Sequence, residues 1–301
     1  MAKIYTGVLI AGYTLTGSCH ILGLYLLHVV KSLPQNQKIL IIHLSAVEMV
    51  TSWLFALYES LLISDTQFIN QYRKYFHYLT FPFLALIMRL TILEIVWDRF
   101  FEIFLNIKYP LYVTKKKLTW AVVFGWLIAF LFAICARIFE EEGTFDALTI
   151  IYSTVLVLDI IIVLSAIITY TYFFLKVRKI QKQVTDNNKC TRKIVIKRFK
   201  VPLLMVATFL LFNVISTVLI IVLVTTFNKL SETRSAVIRH TAELLTISGF
   251  MSDVVIYVFL QKNLRKRLLI LMGYSKQENE IETATLPRSS ATQRVPSTIN
   301  I

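Results

Sequence analysis

Seven stretches of this 301-residue chain are each apolar over the thickness of a bilayer, near 5–30, 38–63, 75–104, 117–139, 147–177, 197–226 and 237–260. A hydrocarbon core about 30 Å thick takes about 20 apolar residues per crossing helix. Within it each backbone N–H and C=O must find a partner in the protein, and a single segment achieves that only as an α-helix. Hydrophobic residues make up 56% of the chain, more than the roughly 45–50% of a soluble domain. The connections are short, so residues 1–272 read as one all-α membrane protein, a seven-transmembrane-helix bundle. No charged leader with a small-residue cleavage site precedes the first stretch, which is therefore expected to be retained.

A net charge of +14 would suit a nucleic-acid binder, but its placement argues against one. The bases gather in alternate connections: Lys115-Lys116-Lys117, a run between 176 and 200 that includes Lys176, Arg178, Lys193 and Arg198, and Arg265-Lys266-Arg267. The opposite connections carry Glu140-Glu141-Glu142 and few bases. Excess Lys and Arg mark the cytoplasmic side, which puts the N-terminus outside and the C-terminus in the cytoplasm. Residues 262–272 mix basic and apolar groups and suit a short amphipathic helix on the anionic inner leaflet. From 273 to 301 the chain is polar and is expected to be a disordered cytoplasmic tail. Cys19 and Cys135 fall in spans and Cys190 in the basic connection, so no outer pair exists for a disulfide.

Polar groups interrupt the spans. Glu48, Arg89, Glu94, Asp159, Asn213, Glu243 and Asp253 each lie within one, and Asp98-Arg99-Phe100 ends the third. Such groups are costly in lipid, so they are expected to face the interior and find partners. Arg89 lies ten residues outward of Arg99, too deep to reach the interface, and Asp159 is its expected partner. The inner end of the sixth span carries no acid, which leaves Asp98 as the expected sole partner of Arg99.

The order of several short motifs resembles the rhodopsin-like (class A) G-protein-coupled receptors. Leu44-Ser45 precedes Glu48 in span two, and Asp98-Arg99-Phe100 leads to Lys108-Tyr109-Pro110-Leu111-Tyr112. Trp126 stands in span four and Tyr170 in span five. Asp253-Val254-Val255-Ile256-Tyr257 runs into Phe259 and on to Arg265, like the start of that family's helix eight. The resemblance covers most of the chain. It implies a plasma-membrane receptor that passes an extracellular small-ligand signal to a heterotrimeric G protein. Asp98, Arg99, Phe100, Tyr170 and Tyr257 would form the coupling switch. Glu48, Asp253, Asn213, Arg89 and Asp159 would form an interior polar centre, in which Glu48 and Asp253 share a proton or a cation. Glu59, His77, Tyr78, Phe81, Ala85 and Glu243 would line the ligand cavity. Thr283, Thr285, Ser289, Ser290 and Thr292 would be tail sites for kinases and arrestin.

The chain also departs from the pattern. Span six reads Phe209-Leu210-Leu211-Phe212-Asn213 without the family's Trp and kinking Pro, and Ile162 stands where span five has proline. Phe81 occupies the place of the acid that binds biogenic amines, Met88 that of a sodium-ligating serine, and His20 that of the span-one Asn.

Other classes fit less well. Span 237–260 has no Lys for a retinal Schiff base. The five histidines form no His-Glu-x-x-His pair, and no serine has a recognisable base, so neither an enzyme nor a bound cofactor is expected. The alternative is a transporter or ion-translocating protein, motivated by the charges at mid-depth.

Overall fold

The computed structural model describes residues 2–30, 34–63, 75–105, 108–142, 147–182, 203–226 and 231–274. The serine and threonine sites of the tail, Cys190 and residues 197–202 of the sixth stretch lie outside them, as do the side chains of His77 and Tyr78. What is described is almost entirely helical. The helices are α1 (Ala2–Val29), α2 (Gln35–Ile63), α3 (Phe81–Leu105), α4 (Lys115–Glu142), α5 (Ala147–Lys182), α6 (Ile215–Thr226), α7 (Glu232–Leu260) and α8 (Lys262–Leu271). A π-helical turn, Phe76–Thr80, leads into α3, and a second, Leu210–Val214, joins the helical stretch 203–209 to α6.

Among the described residues, six helices are long and apolar enough to cross a membrane, and the protein is a multi-pass helical membrane protein. They are α1, α2, α4, α5, α7 and a Leu203–Leu223 span that takes in most of α6. The stretch expected at 75–104 forms α3, which is long enough but carries Arg89, Glu94, Asp98, Arg99 and Glu102. Burial explains how it tolerates them. α3 packs on α2, α4 and α5, and Arg89, Asp98 and Arg99 are among its buried residues. The other helices enclose it, with α1 against α2 and α7, α6 against α5 and α7, and α4 against α5.

The apolar pattern is turned outward. Trp120, Phe124, Leu127, Phe130 and Leu131 of α4 are exposed, as are Ile160, Leu164, Ile167 and Ile168 of α5. A row of large apolar side chains facing away from the core is what lipid contact requires. Inside, the largest apolar cluster joins Leu27, Leu44, Ile92, Val96, Phe209, Tyr257 and Leu264, tying α1, α2, α3, the 203–209 stretch, α7 and α8 together.

Local rules set the helix ends. Ser231 caps α7 by accepting from the Arg234 N–H at 3.4 Å. Gln261 takes an extended conformation (φ −86°, ψ 107°), which breaks the chain between α7 and α8 and lets α8 turn away. Gly273 closes α8 at φ +77°, a left-handed position that favours glycine. The Gly273 N–H then donates to the Ile270 carbonyl at 3.1 Å and the Tyr274 N–H to the Leu269 carbonyl at 2.9 Å.

Candidate functional site

Four groups of polar residues run along the bundle. The first lies at the end bearing α8. Arg99 is 2% exposed and donates to the carboxylates of both Asp98 and Glu102. The expected single partner is therefore two. Glu102 lies three residues on, close enough on the same helix face to grip the guanidinium from the other side. Asp98 also accepts from the Tyr109 hydroxyl. Tyr109 starts the one-turn helix Tyr109–Tyr112, which has Pro110 in its first turn, where a missing N–H costs nothing. Asn36 of α2 donates to the Tyr109 hydroxyl at 3.0 Å and to the Val113 carbonyl at 3.0 Å. Burial, and then the nearby Asp98 carboxylate, push the Tyr109 hydroxyl above its ordinary range, so it stays a proton donor at physiological pH. Lys176 of α5 donates to the Ile103 carbonyl, and Phe100 packs between Trp97, Phe101, Phe104 and Tyr172. The Tyr170 hydroxyl is buried without a hydrogen-bond partner. Its ring lines an open apolar cleft of about 490 Å³ between α5 and the 203–210 stretch, alongside Ala166, Arg178 and Val206.

The second group joins α1, α2, α7 and the 203–209 stretch. Asp253 is 1% exposed and Glu48 2%. The two carboxyls are near enough to feel each other, and two buried acids so placed cannot both ionise cheaply. Thr208 donates to Asp253 at 3.3 Å. His20 Nε2 stands 3.4 Å from Glu48 Oε2, in a geometry that makes no hydrogen bond. Its Nδ1 pairs with Ser45 Oγ at 2.9 Å, and Ser45 Oγ with the Tyr257 hydroxyl at 3.0 Å. The structure thus places Tyr257 in the Glu48 network. Asn213 sits apart, on the π turn of the sixth helix against Gly249 of α7.

The third group is an ion pair at mid-bundle. Arg89 Nε donates to Asp159 Oδ1 at 2.9 Å and Nη2 to Oδ2 at 3.3 Å. Nη2 also donates to Thr217 Oγ1 at 2.8 Å and Nη1 to the Ala85 carbonyl at 3.1 Å. The Phe209 ring faces the guanidinium, 6.0 Å from centroid to Cζ. The expected pairing of Arg89 and Asp159 is present, and Thr217 extends it to a third helix. Ala85, expected in the ligand cavity, is buried and serves this pair.

The fourth group lies at the opposite end. Glu59 of α2 and Glu243 of α7 flank Arg239 of α7. Arg239 Nε donates to Glu243 Oε1 at 3.0 Å, and its Nη2 is 3.6 Å from Glu59 Oε1. His240 Nδ1 is 3.4 Å from Glu243 Oε2, and the Tyr5 ring stacks on His240 at 5.2 Å. Phe81, expected in the same cavity, stands edge-on to Phe55 at 6.0 Å, and no contact joins it to this group among the described residues. Two of the expected cavity residues, Glu59 and Glu243, are thus brought together through an arginine that carried no motif.

Elsewhere Trp126 Nε1 donates to His43 Nε2 at 2.6 Å. The proton on Nδ1 of that ring is then free to reach Thr91 Oγ1 at 3.2 Å, which ties α4, α2 and α3 together. Among the described residues, no group of three or more His, Cys, Asp or Glu could hold a metal ion. No protein-family model matches the chain, and no curated protein matches it either, so its function is argued from these four groups alone.

Proposed function

We propose that this chain is a seven-helix receptor of the rhodopsin-like type, which passes a signal from a small extracellular ligand to a heterotrimeric G protein. One observation carries the reading: Arg99, buried at the end of the central helix, is held by Asp98 and Glu102 beside Tyr109. A guanidinium caged at a helix end has two discrete arrangements, caged or released. A conformational shift that releases it presents a cation at the face where a partner docks. Tyr170, with its unpartnered hydroxyl at the α5 cleft, is a landing place for the released side chain. In this reading α3 is the seventh crossing helix. The α8 end faces the cytoplasm at the plasma membrane, and the tail threonines and serines serve kinases and arrestin.

The test is G-protein dissociation in cells that express the chain with a panel of Gα subunits. Asp98→Asn should raise basal dissociation, and Arg99→Ala should abolish it at equal surface expression. Silence of both variants and of the parent chain with every Gα would rule out coupling. A second reading, a transporter, is favoured by the Glu48–Asp253 pair and His20, three protonatable groups with the Thr208 hydroxyl beside them, at the join of four helical segments. Proton or sodium flux into vesicles that carry the purified chain separates the two.

A further inference from the structure

We propose that Glu59 and Glu243 anchor an organic cation, an amine or guanidine carried on an aromatic or aliphatic body. This deepens the receptor reading by naming the chemical class of its ligand. The Glu59 side chain is 3% exposed, yet its Oε2 is buried with no hydrogen-bond partner. Its other oxygen is 3.6 Å from Arg239, a charge contact beyond hydrogen-bond length. A buried carboxylate short of donors is expensive to leave as it is. A proton on Oε2 does not remove the deficit, because the new hydroxyl would then lack an acceptor. An incoming N–H donor does.

The charge balance points the same way. Two carboxylates face one fixed guanidinium, and Arg239 is committed to Glu243 by the shorter contact. One negative charge remains for a ligand. Arg239, in charge contact with Glu59, has a side chain that is 39% exposed, and an arriving cation competes with it for Glu59. The surroundings select an organic body over a metal ion. Metal cations such as Ca²⁺ need several oxygen ligands, whereas this cluster adds a guanidinium and an imidazole. Two aromatic rings adjoin it: Tyr5 stacks on His240, and Tyr13, close enough to feel both glutamates, stacks on Phe55 at 5.2 Å. Faces of this kind attract cations and accept flat apolar bodies.

The test uses the full chain purified into zwitterionic nanodiscs, with no G protein present. The thermal midpoint is read with 2-phenylethylamine, 2-phenylethylguanidine, 3-phenylpropan-1-ol and 3-phenylpropionate at equal concentrations. The two cations should raise the midpoint and the alcohol and carboxylate should not. Glu59→Gln and Glu243→Gln should each abolish the cation shift. Arg239→Gln removes the internal competitor and should bind the cations several-fold more tightly, a gain that a merely structural arginine would not produce. The proposal is overturned if no probe shifts the midpoint, if the carboxylate or alcohol matches the amine, or if the shift survives both glutamate variants. Should the glutamate variants not fold, unchanged or weaker cation binding by Arg239→Gln overturns it. Cation binding by a chain that activates no G protein would overturn the receptor reading and leave this inference standing. Basal coupling without cation binding would do the reverse.

Discussion

The cost of a charge in lipid dominates at the scale of single residues. Arg89 has five N–H donors and is too deep to reach water, so its position demanded an acid on a neighbouring helix. That much could be read from the sequence, and Asp159 supplies it. Replacing one partner strands the other, at a cost of about 3–5 kcal/mol, whereas replacing both with apolar groups can be neutral. Arg89→Leu and Asp159→Leu should therefore each lower the thermal midpoint sharply, and the double variant should recover most of the loss. Simple additivity in that cycle would mean that the pair contributes nothing as a pair. Other contacts were hidden. Thr217 is an apolar-span threonine whose hydroxyl donates back to the Asn213 carbonyl at 2.9 Å, a local bond that gives no hint of Arg89. Glu102, by contrast, reaches Arg99 along one helix face by its i,i+3 spacing, a local partner already present in the sequence beside Asp98. Glu102→Gln should weaken the cage and raise basal G-protein dissociation, by less than Asp98→Asn because Asp98 also holds Tyr109. Equal basal signal in Glu102→Gln and the parent chain would leave Asp98 as the only restraint.

Helices hold their apolar faces reliably but give little sign in sequence of where they depart from regularity. The spans were legible because a 20-residue apolar run has few alternatives, and their ends agree with the observed helices to within a few residues wherever both are described. The π turn at Leu210–Val214 was not legible. An extra residue in a helix leaves no mark without a second sequence for comparison. Span six lacks the kinking proline, and the π turn supplies an irregularity in its place. Its position matters. Thr208 and Phe209 precede the turn and reach Asp253 and Arg89, while Thr217 follows it and reaches Arg89 from the other side. Deleting Leu211 would tighten the turn to α-helical register and rotate 203–209 by about 100° against α6. The Thr208 and Thr217 contacts could not then both form. Receptor signalling should be lost and the midpoint lowered, whereas Leu211→Ala, which shortens an exposed side chain in place, should change neither. Retained signalling after the deletion would mean that the two halves move independently.

For the molecule as a whole, the question is whether α3 crosses the membrane. Among the described residues it is less apolar than the six crossing helices, carrying Arg89, Glu94, Asp98, Arg99 and Glu102. Composition is the wrong measure for a central helix. Charges that are paired inside protein do not meet lipid, and among the five only Glu94 and Glu102 are not buried. The count also has a global consequence. Six crossings return the chain to the side where it began, and seven do not. By the positive-inside rule the basic clusters at Lys115-Lys116-Lys117 and Arg265-Lys266-Arg267 would lie on the cytoplasmic face. With seven crossings that requirement and an outside start are both met. Epitope tags fused at Met1 and after Ile301 therefore give a clear test by antibody labelling of intact and permeabilised cells. The first tag should be stained in intact cells and the second only after permeabilisation. If both tags stain only after permeabilisation, the crossings are even in number, and α3 would have to be a helix buried among its neighbours without spanning. That arrangement would put the Glu59 end of α2 and the Glu243 end of α7 on opposite sides of the membrane, against their common contact with Arg239, and the receptor reading would not stand.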